Sequence, residues 1–308
     1  MPLPSDESLR WIVTRLARLR AAHGDAFADV PLVEPTGAFF PDEFRGDLPS
    51  VGCLLRRLIS YAPISGEVPV EIGVLDREDE AVGRGGGCGS AGCGSGAAPG
   101  ATAGRVEELS DGYRVLLAPA VAGHPDLLVA TLARSVGTIV RLEAGEPAAG
   151  DAESEVAAVT CGFGALLLGG AAVWAKSCGS LRVARATTLS VDEIAAGLAR
   201  FLLVHGHPES RCRLHLGATQ REALDRALDW AASNDAIVEA LRDQPALLEG
   251  GGFSFEPVRG PLFRWLHRRK ADRRPALPRK ASAPQLTEGQ RRRLDEARAL
   301  VEEVFGSD

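Results

Sequence analysis

Residues 126–142, DLLVATLARSVGTIVRL, together with Asp151, Glu153 and Glu155 just beyond them, decide how the rest of the chain is read. Leu128, Leu132, Val136, Ile139 and Val140 recur at the i, i+4, i+8 spacing of one helix face. Asp126 stands where an N-cap or first-turn acid belongs, and Gly145 where a left-handed stop belongs. Read by itself, the stretch predicts a buried amphipathic helix.

The neighbouring segments supply a small sheet and more helices. Glu67 to Leu75, EVPVEIGVL, alternates as a strand, Gly112 to Ala118 reads as a second, and Arg105 to Leu109 as a short third. Between them, residues 83–104 are so rich in Gly that they read as a hairpin loop. That loop contains a literal GxGxxG at Gly87, Gly89 and Gly92. No apolar helix opens at the third glycine, so a dinucleotide site is not indicated. Cys88 and Cys93 in the loop are two thiols, too few to close a tetrahedral metal site.

Helices are predicted on both sides of this core. Residues 5–23 place Leu9, Ile12, Val13, Leu16 and Leu19 on one face behind Ser5 or Asp6, and Leu48 to Tyr61 returns to helical spacing. Ser190 with Glu193 forms a capping box ahead of a helix ending at His205, and Thr219 with Glu222 reads as another. Lys176 to Thr188 reads as a polar connection. Val156 to Ala175 carries no charge over twenty residues, long enough for a bilayer, but four Gly and six Ala suit a core helix packed closely on its neighbours. No membrane association is expected.

The order of elements resembles a family of bacterial gluzincin-like, zinc-peptidase-like proteins. The resemblance covers roughly residues 30 to 235. Phe39-Phe40-Pro41-Asp42 corresponds to that family's Phe-Phe-Pro-Asp segment. LARSVGT corresponds to the helix that bears His-Glu-x-x-His, and Asp151-x-x-x-Glu155 to a downstream Glu-x-x-x-Asp with the acids exchanged. Cys161-Gly162-Phe163-Gly164 follows where the family has a Gly-aromatic-Gly apolar helix. The likeness implies a zincin-like α+β fold, mostly helical, with a small sheet packed on the motif helix. It also implies a degenerate member. Arg134 and Thr138 occupy the two His positions and Ser135 that of the general-base Glu.

Those replacements remove the chemistry. Two His at i and i+4 grip zinc from one helix face while the Glu activates the bound water. A guanidinium has no lone pair to give, and a serine hydroxyl is no base near neutral pH without a partner. No cofactor and no catalytic residue are therefore expected at Arg134, Ser135, Thr138, Asp151 and Glu155. Arg134 is expected to pair with Asp151 or Glu155 where the metal would otherwise sit. The function implied is that of a non-catalytic scaffold or protein-interaction module.

Two alternatives come from elsewhere in the chain. His205 and His207, with His215 and Cys212, offer ligand types for a metal-dependent hydrolase at a different site. Residues 267–293 are basic and Pro-interrupted, and would give salt-sensitive attraction to nucleic acid without base readout. The chain divides accordingly into a core of residues 1–250 and a basic linker or tail with a C-terminal helix at 251–308, in which Phe253 to Leu266 carries aromatics that read as exposed. A net charge of −6 and 45% hydrophobic residues are ordinary for a soluble protein. The first twenty residues lack an apolar h-region and the six Cys contain no CxxC pair, so a cytoplasmic location with reduced thiols is expected.

Overall fold

The computed structural model describes residues 3–64, 67–75, 103–146, 150–177 and 180–259. Cys88, Cys93 and nearly all of the Gly-rich segment, Cys178, the basic arm at 267–293 and the expected C-terminal helix lie outside these residues. What is described is mixed α+β and mostly helical, with a small sheet. In chain order the elements are α1 (Asp6–His23), α2 (Leu48–Tyr61), β1 (Val70–Val74), β2 (Gly104–Leu109), β3 (Gly112–Leu117), α3 (Pro119–Ala122), α4 (Pro125–Glu143), α5 (Asp151–Ala158), α6 (Gly164–Gly170), β4 (Val173–Ser177), β5 (Ser180–Ala184), α7 (Val191–His205), α8 (Glu209–Arg213), α9 (Ala218–Ser233) and α10 (Asp235–Asp243).

Helix α4 is the hub, packing against α2, α3, α5, α6 and β2. Its apolar face is buried as the spacing predicts, and Asp126 sits in its first turn. Gly145, at φ +73°, ends it in a Schellman arrangement: its N–H donates to Leu142 O at 2.9 Å, and Glu146 N–H donates to Arg141 O at 3.0 Å. Small residues let the helices approach closely. A Cβ on Gly137 would stand 2.0 Å from Ser154 O on α5. One on Gly170 would stand 2.3 Å from Ala130 Cβ on α4.

The uncharged run is core, but not one straight helix. Asp151–Gly170 is the one stretch among the described residues long and apolar enough to cross a bilayer, and most of it is buried inside the protein. A π-helical turn, Val159–Phe163, separates α5 from α6, and Gly162 within it adopts φ +86°. The N-terminal connection runs against this break: Val33 N–H donates to Gly162 O at 3.1 Å. The run then ends at Gly170, and Val173 starts a strand. The supposed polar connection after it therefore contains an antiparallel hairpin, β4–β5.

The three-stranded sheet also departs from expectation. Its order is β1-β3-β2, with β2 antiparallel and β1 parallel to the central β3. The Gly-rich connection is thus a crossover past β3 rather than a hairpin loop, and β2–β3 is the hairpin. Its ends, at Leu75 and Ala103, lie on either side of β3, roughly 10 Å apart at two strand spacings. Gly104 belongs to β2 and must stay. Replacing residues 80–100 by an eight-residue Gly-Ser linker is expected to leave the thermal midpoint within about 3 °C, because shortening a loop that can still span its ends costs little. Loss of soluble protein in that variant would show that the segment is structural.

The remaining helices form a second layer. Helix α7 packs on α1, α6, α9 and α10, and its Ser190–Glu193 capping box is complete. The box expected at Thr219 does not form. Helix α9 starts a residue earlier behind Gly217, with no side-chain cap. Residues 251–259 stay on the core. Phe253 and Phe255 are half-buried rather than exposed, with Arg10 over both rings and Trp230 edge-on to Phe255 at 5.3 Å.

Candidate functional site

The site is built where α4, α5 and the connection into α7 meet. Arg134 is only 2% exposed although it carries a permanent charge. Its Nη1 donates to Asp151 Oδ2 at 3.3 Å and its Nη2 to Gly104 O at 3.0 Å, so one guanidinium ties α4 to the first turn of α5 and the start of β2. Gly104 has no side chain because there is no room for one: a Cβ would lie 2.7 Å from Thr131 Cγ2 on α4. Pairing and hydrogen bonding are what make such a burial tolerable.

Glu155 lies one turn beyond Asp151 and is fully buried. Its Oε1 accepts the N–H of Thr188 at 2.6 Å and its Oε2 the N–H of Leu189 at 2.8 Å. Both amides immediately precede Ser190, the N-cap of α7, so the carboxylate also faces the positive end of that helix. Burial raises the Glu155 pKa to about 7; the two amide hydrogen bonds and the nearby Arg134 charge pull the other way without overcoming it.

The two remaining motif positions face their own helix. Ser135 Oγ donates to Thr131 O at 3.0 Å and Thr138 Oγ1 to Arg134 O at 3.3 Å. These are the i→i−4 bonds by which hydroxyls satisfy themselves inside helices. The structure therefore brings together Arg134, Asp151 and Glu155, and leaves Ser135 and Thr138 out of the cluster. This donor set does not fit zinc: its centre is a guanidinium, which has no lone pair to give, Asp151 is paired to that cation, and Glu155 accepts two amides. Ser135 is buried and bonded to its own helix.

The alternative cluster does not assemble. His205 Nε2 accepts from Arg20 Nη1 at 3.0 Å, which fixes the proton on Nδ1, and Nδ1 donates to Ala28 O at 3.2 Å. His207 Nε2 donates to Val30 O at 2.9 Å, and the two rings stack with centroids 5.8 Å apart. Burial lowers the pKa of His205 to about 3, and that of His207 in the same direction. Cys212 is buried, its thiol pushed up to about 12 by the loss of solvent. Both imidazoles hold the Ala28–Val30 connection to the end of α7. Among the described residues, no group of three or more His, Cys, Asp or Glu side chains is placed to hold a metal ion.

No family model, curated protein or solved structure matches the chain. The site thus stands on its own geometry. Sequence reasoning offered Asp151 or Glu155 as the partner of Arg134; the structure pairs it with Asp151, and the role of Glu155 was missed. Its partners are backbone amides 33 and 34 residues downstream, and amides carry no signal in the letters.

Proposed function

We propose that this chain is a non-catalytic relative of zinc peptidases of the gluzincin kind, in which an ion pair stands where the metal would be, and that it serves as a scaffold or protein-interaction module. The observation that carries the reading is the ion pair of buried Arg134 with the partly exposed Asp151: a cation from the first ligand position of the motif helix, closed by a downstream acid. Helix α4 with a small sheet against it, and α5 following with its two carboxylates one turn apart, agree with the layout that the resemblance implies. The reading leaves binding as the role. The β4–β5 hairpin offers a place for it, with Trp174 and Val183 directly opposite each other and 62% and 41% exposed.

Metal content tests the first half. Protein purified without chelator is expected to contain well under one zinc per chain, by elemental analysis. About one zinc per chain, lost on Thr138→Ala, would overturn the reading.

A further inference from the structure

Residues 252–259, GFSFEPVR, belong to no helix or strand, and none of their main-chain groups bonds to another main-chain group among the described residues. Side chains hold them instead. Arg10 on α1 donates from Nη1 to Gly251 O at 2.8 Å and to Phe253 O, and Arg18, two turns along the helix, donates to Glu249 O at 3.3 Å. At the end of α9, Asn234 grips the main chain of Glu256 in both senses: its Nδ2 donates to Glu256 O at 3.2 Å and its Oδ1 accepts the Glu256 N–H at 2.7 Å. Ser233 Oγ accepts the N–H of Arg259 at 2.9 Å.

Exposure alternates along the segment. Phe253 and Phe255 are half-buried, while Gly252, Ser254 and Glu256 are exposed. The inward pair meets the guanidinium of Arg10 and the edge of Trp230, which suits aromatic rings better than aliphatic side chains. The far wall is set from below. Arg200, completely buried in α7, donates from Nη1 to Ala231 O at 3.3 Å and Asn234 O at 3.1 Å, and lies 4.0 Å from the Trp230 ring centroid. Asn234 Nδ2 also donates to Trp230 O at 2.9 Å. Two of the residues that meet the segment are thus fixed by α7 and by each other. Side chains that read a main chain, with room for alternate residues of the ligand, are how a groove recognises an extended peptide. The hold on the segment is light: two rings anchor it, behind a hinge of Gly250, Gly251 and Gly252, the second at φ +69° and the other two with open space at their Cβ positions.

We propose that this groove, between α1 and the end of α9, binds an extended segment of a partner protein bearing aromatic residues at i and i+2, and that residues 251–259 occupy it in cis until such a partner displaces them. This specifies a partner for the interaction role proposed above; metal content bears on ancestry and not on this groove. A segment on a short flexible tether competes at an effective concentration of about millimolar, so the native chain should bind a free peptide weakly.

The test is fluorescence anisotropy of a labelled peptide of residues 251–259 with the full chain, native and with Phe253→Ala and Phe255→Ala together, which weakens the cis occupant. The double variant is expected to stay folded and to bind the peptide about tenfold more tightly than the native chain, or better. Adding Arg10→Met should remove that gain, and a peptide with both Phe replaced by Ala should not bind. Equal binding by the native chain and the double variant would overturn the proposal, as would equal binding of the Ala peptide. Loss of folded protein in the double variant would also overturn it, because the segment would then be part of the core. A concentration-dependent dimer of the native chain that the double variant loses would assign the groove to a second copy and overturn a foreign partner.

Discussion

Glu155→Ala is expected to destabilise the protein by about 1–3 kcal/mol at neutral pH, because it strands the buried Leu189 N–H, at roughly 1–3 kcal/mol, and the part-buried Thr188 N–H, at less, while relieving part of a buried charge. The amides are those of Thr188 and Leu189, so the damage should appear first at the start of α7, as faster amide exchange there than in α4. Glu155→Gln should lose less than Glu155→Ala, since its carbonyl can still accept one of the two. Equal stability of Glu155→Ala and the native protein would show that the carboxylate is not the clamp described above.

The same residue carries a pH signature. Its folded-state pKa, raised by burial to about 7, lies above the ordinary carboxylate value of 4.5 in the unfolded chain. The folded state therefore holds the proton more tightly, and this group's contribution is complete below about pH 4.5 and is lost as pH rises through about 7. Over that window the native protein should lose stability relative to Glu155→Gln, by about 3 kcal/mol for a shift of this size. Parallel stability curves for the two proteins between pH 4.5 and 7 would contradict the assignment.

Gly162→Ala should have the largest effect of any single methyl group added to this fold, about 3–5 kcal/mol, from a left-handed backbone and an overpacked contact together. The residue sits at φ +86° in the π turn, and its Cβ would stand 2.0 Å from Pro31 O. Neither strand of backbone can yield easily, because Val33 donates to the carbonyl of Gly162 itself. Gly169, about two turns further along the same apolar run, has nothing within 4 Å of its Cβ position. Gly169→Ala should be neutral or slightly stabilising, as helix propensity predicts. Denaturant unfolding of the two variants separates them, and similar midpoints would remove the argument that the break in the run is packed against the N-terminal connection.

How much of this was legible in the sequence depended on where the partners lie. Helices α1, α2, α4 and α7 were readable because periodicity and caps are local: Ser5, Asp126, Gly145 and the Ser190–Glu193 box act within a turn of themselves. The pairing of β1 with β3 was not, since β1 is parallel to a strand reached only after a crossover, and adjacency in sequence favours the hairpin. The β4–β5 hairpin was hidden by Lys176, Ser177 and Ser180, polar letters that suit a strand pair as well as a loop. Gly162 was visible as a residue but not as a break, because what demands it is the Pro31 carbonyl. At the site, the resemblance offered Arg134 either Asp151 or Glu155; choosing Asp151, and giving Glu155 to two amides, needed coordinates. Arg200 had a signal that was passed over: a single charge inside an apolar helical run has to answer for its burial.

The most direct test of the central claim, that α4 is a metallopeptidase helix emptied of its ligands, is a zinc titration followed by thermal unfolding. The variant combines Arg134→His, Ser135→Glu and Thr138→His, which rebuilds two ligands and the candidate base and frees Asp151 to be a third. Without metal it should be less stable than the parent by about 1–3 kcal/mol, since removing Arg134 leaves Asp151 and Glu155 uncompensated. Zinc should then raise its melting temperature by several degrees through mass action, roughly 2–4 °C for each kcal/mol of binding, and leave the parent unchanged. A melting temperature of the triple variant that does not respond to zinc, or a parent that responds equally, would contradict the account.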